Sequence, residues 1–137
     1  MRRILMGSLL AIIFSTILCT SAAFAQKVDT EGKAWLGTCS DAAALNVTGI
    51  WKDPKWGALT LSQHQDSRQI LGAGDGWNIF GVVSGNTVCL LFSDNKGRIA
   101  FSAKLTADPS GALDGGYVKG MLSDKSKTNP MHLVKMK

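Results

Sequence analysis

Glutamate is nearly absent from this chain of 137 residues, with Glu31 the only one, and the two histidines, His64 and His132, stand far apart. These shortages remove several chemistries. A calcium loop of the EF-hand kind closes on a distal glutamate; none follows Asp94-Asn95-Lys96-Gly97, where Lys96 also replaces an oxygen ligand. A serine nucleophile needs a base close by and a strained turn to present it, and no Gly-x-Ser-x-Gly element occurs. Asp66 lies two residues from His64, a spacing that reads as a solvated pair. The glycine-rich Gly72-Ala73-Gly74-Asp75-Gly76 is followed by Trp77-Asn78-Ile79-Phe80, which reads as strand, whereas a phosphate-cradling loop needs a helix there. The expectation is a protein that is not an enzyme, with no catalytic residues, no metal and no cofactor.

Long apolar runs are also missing, except at the start. Met1-Arg2-Arg3 is basic, Ile4 to Leu18 is almost wholly apolar, and Ala23-Phe24-Ala25 offers small residues for cleavage, the form of a bacterial signal peptide. Residues 1–25 are therefore expected to be a cleaved export signal. Two rivals are acylation at Cys19, which Leu18 disfavours, and an uncleaved anchor of roughly the 20 residues that span a bilayer. The remainder divides into an N-terminal arm, 26–46, and one domain, 47–137, in the periplasm or outside the cell with no integral membrane span. The formal charge of +5 includes Arg2 and Arg3, so what remains is too mild to suggest nucleic acid. The tail lysines Lys119, Lys125, Lys127, Lys135 and Lys137 read as protection of a terminal strand, the rival being a patch for an acidic partner.

Once Cys19 leaves with the signal, Cys39 and Cys89 remain, and in an exported protein a disulfide is expected. Closing that loop of about 50 residues stabilises by roughly 4 kcal/mol in the chain-entropy model. Zinc fails on ligand count, since two cysteines with His64 and His132 form no compact set.

From Gly49 to Met136, short apolar runs alternate with turns rich in Gly, Asn, Asp and Ser. Segments begin near 49, 58, 67, 77, 87, 98, 112 and 130, the spacing of short strands joined by hairpins. Ile99, Phe101, Ala103 and Leu105 alternate with wetter neighbours, as Leu59, Leu61 and Gln63 do. Short connections make consecutive strands antiparallel. The fold expected is all-β, an up-and-down meander of about eight strands forming a small barrel, with an arm or short helix before it. Ser40 or Asp41 is expected to cap a helix over 42–45, and Gly72 to Gly76 to form a wide loop.

Trp77 to Val83 and Val88 to Phe92 are apolar on both faces, so a cover is required. If Val88, Leu90 and Phe92 point inward, Cys89 points outward, and a bond to Cys39 would lay Trp35 and Leu36 over Phe80, Val82 and Leu91.

Gly49-Ile50-Trp51 on the first strand, with a meander ending at Met131-His132-Leu133-Val134-Lys135, resembles the calycin group of lipocalins, avidins and small bacterial metalloprotease inhibitors. That resemblance implies a barrel with Trp51 packed at one end. There is no counterpart of the lipocalin Thr-Asp-Tyr turn or of the avidin biotin set, and Cys39 precedes the tryptophan where the inhibitors place their first cysteine after theirs.

Two functions follow. In the first, a small, largely apolar ligand meets a wall of Trp51, Trp77, Phe101 and Tyr117 with Gln63 and Asn78 as polar anchors. In the second, the protein is an interaction module, such as a protease inhibitor or envelope accessory, that contacts an exported protein through Trp35 on the arm and Trp56, expected at a hairpin tip with no core to enter. A cavity above about 300 Å³ open at one end favours the first, and a side-chain-filled interior the second.

Overall fold

A computed structural model describes residues 30–65, 67–123 and 125–136. The expected signal peptide, Asp66 beside His64, and Lys137 lie outside the described residues. Eight strands follow one helix: α1 (Thr30–Thr38), then β1 (Gly49–Asp53), β2 (Gly57–Gln63), β3 (Gln69–Gly74), β4 (Trp77–Ser84), β5 (Thr87–Ser93), β6 (Ile99–Ala107), β7 (Leu113–Lys119) and β8 (Asn129–Lys135). Each strand pairs antiparallel with the next, and β8 returns to β1 through Trp51↔Lys135 and Lys52↔Val134, closing the barrel. Closure leaves no free sheet edge. The expected meander is present, with strand starts close to those read from the apolar runs.

Alternation sorts the side chains. On β2, Leu59, Leu61 and Gln63 are buried while Ala58, Thr60 and Ser62 are exposed. An eight-stranded barrel is just wide enough for side chains to fill it. Here Leu59, Ile79, Leu90, Phe92, Leu105 and Met131 do so, all at most 1% exposed.

β5 is the exception to alternation, because both its faces are covered. Val88, Leu90 and Phe92 join the barrel core, whereas Leu91 faces outward with Phe80 beneath Trp35 and Leu36 of α1, flanked by Ile99 and Met121. Each large side chain so covered contributes about 1.5–3 kcal/mol. The cover is tied as expected: the sulfurs of Cys39 and Cys89 are at bonding distance, 50 residues apart in the chain. Arg68 adds a second tie, its Nη1 donating to the carbonyls of Cys39 at 2.6 Å and Asp41 at 3.0 Å.

Two local expectations are corrected. The helix is not at 42–45; the backbone there is spent on Gly85, whose N–H donates to Ala42 O at 3.0 Å and whose carbonyl accepts from Ala44 N at 2.9 Å. It forms instead at Thr30–Thr38, where Gly32 lets the backbone approach so closely that a Cβ would meet Leu91 at 2.8 Å. Nor is 72–76 a wide loop. Gly72 and Gly74 lie within β3, where a side chain would collide with β2, and only Asp75-Gly76 turns, both at positive φ (53° and 80°).

Candidate functional site

The ends of the barrel are unlike. At the end where β1 begins, Trp51 is buried and its indole N–H donates to Val47 O at 2.8 Å. Gln63 locks the same crossing: its Oε1 accepts from Val47 N at 2.9 Å and its Nε2 donates to Leu45 O and Ser67 O, both at 3.1 Å. Burial of Gln63 is tolerated because the whole amide is occupied.

At the other end the β1–β2 connection carries Trp56. Rather than projecting from a hairpin tip, Trp56 turns inward and is 7% exposed. Asp53 makes that possible. Its Oδ1 accepts from Lys55 N at 2.7 Å and Trp56 N at 3.0 Å, folding the turn back over the barrel, and its Oδ2 accepts from His132 N on β8 at 2.9 Å. Burial of the carboxyl opposes its charge, yet these three backbone donors outweigh the burial and hold Asp53 below the usual carboxylate range.

The Trp56 ring lies 4.7 Å from Phe92 and meets Phe101 and Tyr117 edge to face, each at 5.1 Å between centroids. Trp77 stands 5.7 Å from Phe101 at a similar angle. Trp56, Trp77, Phe101 and Tyr117, together with Lys55 and Asp75, line a bowl of about 340 Å³. Trp77 and Phe101 are half-buried, so part of each faces solvent. Lys55 Nζ sits 5.6 Å from the centre of the Tyr117 ring. The neighbouring Tyr117 hydroxyl raises the lysine above its ordinary range, and the charge of Asp53 adds to the effect. The indole N–H of Trp56 is buried with no acceptor among the described residues.

Of the wall read from the sequence, Trp77, Phe101 and Tyr117 therefore meet in one bowl. Trp51 does not join them, being turned to the far end. The two polar anchors do not join them either. Gln63 is consumed at the opposite end, and Asn78 is exposed on the outer side of β4, one residue out of phase with Trp77 and Ile79. Of the two tryptophans expected at a partner, Trp56 forms the bowl floor and Trp35 packs from the arm onto Phe80 and Leu91. Lys55 and Asp75 were missed. The available signal was their place at the tips of two connections that the meander brings to the same end. Among the described residues no group of His, Cys, Asp and Glu is arranged to hold a metal. His132 pairs with exposed Asp114 at 3.3 Å, and His64 Nδ1 lies 3.0 Å from the neighbouring Gln65 carbonyl.

No protein-family model, curated protein or solved structure matches this chain. The architecture is consistent with a calycin-like barrel, and Trp51 occupies one end of it, as Gly-x-Trp implied. The geometry of the bowl must carry the functional reading by itself.

Proposed function

We propose that this chain is an exported, non-enzymatic binding protein with a calycin-like barrel, whose small ligand rests on the aromatic bowl at the Trp56 end. The bowl itself carries the reading: four aromatic side chains converge on about 340 Å³ of open volume, within the range of ligand pockets. The filled interior moves the ligand from inside the barrel to its mouth, so the contact is a ring lying on rings. A disulfide between Cys39 and Cys89 fits an oxidising compartment and supports export.

The test is the fluorescence of 1-anilinonaphthalene-8-sulfonate, an aromatic probe whose sulfonate can meet Lys55 while its rings lie on the bowl. The native protein is expected to enhance its emission, and Trp77→Ala to abolish the enhancement while the circular dichroism of the barrel is retained. Equal enhancement by Trp77→Ala would place the probe elsewhere and count against the bowl.

The filled interior also favours a second reading, an interaction module that meets an exported protein through its arm and loops. Against it, Trp35 and Leu36 are already spent covering Phe80 and Leu91. A purified partner that binds the full chain equally well after deletion of residues 26–38 would remove the arm from that reading.

A further inference from the structure

Resting on the bowl as the binding site, we infer that its ligand is a neutral pyranose, a sugar ring that lays its C–H face on the half-buried Trp77, with Phe101 standing beside it at 78° to the indole, and turns its hydroxyls to the rim. Three alternatives fail on the geometry. A quaternary ammonium needs separated rings to enclose it, but Trp56 contacts both Phe101 and Tyr117 at 5.1 Å and those two lie 6.0 Å apart, which makes a closed floor rather than a cage. Lys55 over the Tyr117 face also repels a second cation. A simple anion would meet Lys55 but face the Asp75 carboxylate across the same bowl. A purely apolar ring would cover both charged groups and offer them nothing, at the cost of desolvation.

A pyranose satisfies each part. Its apolar face matches the floor, and its hydroxyls both donate to Asp75 and accept from Lys55. One charge of each sign on the rim suits hydroxyls, which serve either.

The four tryptophans make the test specific, because each indole N–H gives its own resonance. Cellobiose, maltose and N,N′-diacetylchitobiose are titrated into the 15N-labelled full chain, with choline, glucuronate and 1-anilinonaphthalene-8-sulfonate alongside. At least one neutral disaccharide is expected to shift the indole signals of Trp56 and Trp77 while leaving Trp51, at the far end, and Trp35, on the arm. Trp77→Ala should weaken that sugar by roughly tenfold or more, as a central aromatic contact does. Asp75→Asn, an exposed change that leaves the core intact, should weaken the sugar, while the naphthyl probe, whose sulfonate is relieved of the Asp75 carboxylate, binds no less tightly. Sedimentation with an insoluble polymer of the responding sugar separates a free oligosaccharide from a polysaccharide chain as its source.

If no sugar shifts Trp56 or Trp77 while the naphthyl probe does, the pyranose is wrong and the bowl stands. Stronger shifts with choline or glucuronate than with every neutral sugar also overturn it. If neither sugar nor probe moves these signals, both readings fall.

Discussion

Asp53 shows how one buried carboxylate organises an entire end of the barrel. Its two oxygens bind the Lys55 and Trp56 amides and reach His132 on β8. In Asp53→Asn one amide oxygen can still accept from the turn, but an NH₂ then confronts the His132 N–H, donor against donor. Denaturant unfolding is expected to show a loss of about 2–3 kcal/mol, the cost of breaking a charged hydrogen bond and orphaning a buried donor. The pH dependence follows from the lowered pKa. The stabilisation from Asp53 is complete above the unfolded value near 3.9 and is lost as pH falls through the lower folded one. Wild type should therefore lose more stability between about pH 5 and about pH 2 than Asp53→Asn does; parallel curves would show that Asp53 carries no linkage. Trp56 offers a second contrast. Trp56→Ala removes the floor and should cost about 3–5 kcal/mol, whereas Trp56→Phe loses no hydrogen bond among the described residues, where the indole N–H has no acceptor. Thermal melts of the pair measure how much of the floor is ring packing.

Elements were legible in proportion to how local their causes are. The strands were readable because each carries its own alternation and its own turn, and β6 with Ile99, Phe101, Ala103 and Leu105 needed nothing beyond itself. The helix was not readable. Its residues show no clear apolar period; α1 is held by what lies beneath it, Leu91, Phe80 and Ile99, and by Cys39 at its end. Gly72 and Gly74 misled in the opposite sense, since glycine marks turns in general but here marks close packing against β2. The site was half legible for a related reason. Trp77, Phe101 and Tyr117 lie on strands whose inward phase could be read, while the inward turn of Trp56 depends on Asp53 reaching across to β8. If α1 is secured by the disulfide, Cys39→Ser should expose residues 30–45 to hydrogen exchange while β5 keeps its inward protection. Global stability should fall by at most about 4 kcal/mol. Uniform acceleration across all eight strands would show instead that the arm is part of the cooperative barrel.

At the scale of the whole molecule, the barrel is not equally strong around its circumference. β5 pairs along its length with β4 and β6, whereas the closing seam pairs backbone to backbone only at Trp51↔Lys135 and Lys52↔Val134, extended by Met136 N to Ile50 O at 2.8 Å and by the side-chain tie from His132 N to Asp53 Oδ2 at 2.9 Å. Low local stability concentrates where few buried apolar groups and exposed hydrogen bonds meet; at this seam Ile50, Val134 and Met136 are 46–50% exposed. The seam matters for binding because Trp56 hangs from β1, whereas the other bowl aromatics stand on β4, β6 and β7. Opening the seam would therefore move the floor away from the walls. A ligand that needs floor and walls together must hold the seam shut, by the linkage that makes any ligand of the native state stabilise it. Amides of β1 and β8 at the seam are thus expected to exchange before those of β5 in the free protein. Saturating the bowl with 1-anilinonaphthalene-8-sulfonate or a responding sugar should slow β1 and β8 more than β5. Equal slowing of all strands would mean that the ligand does not bridge Trp56 and the walls, and that the bowl opens only with global unfolding.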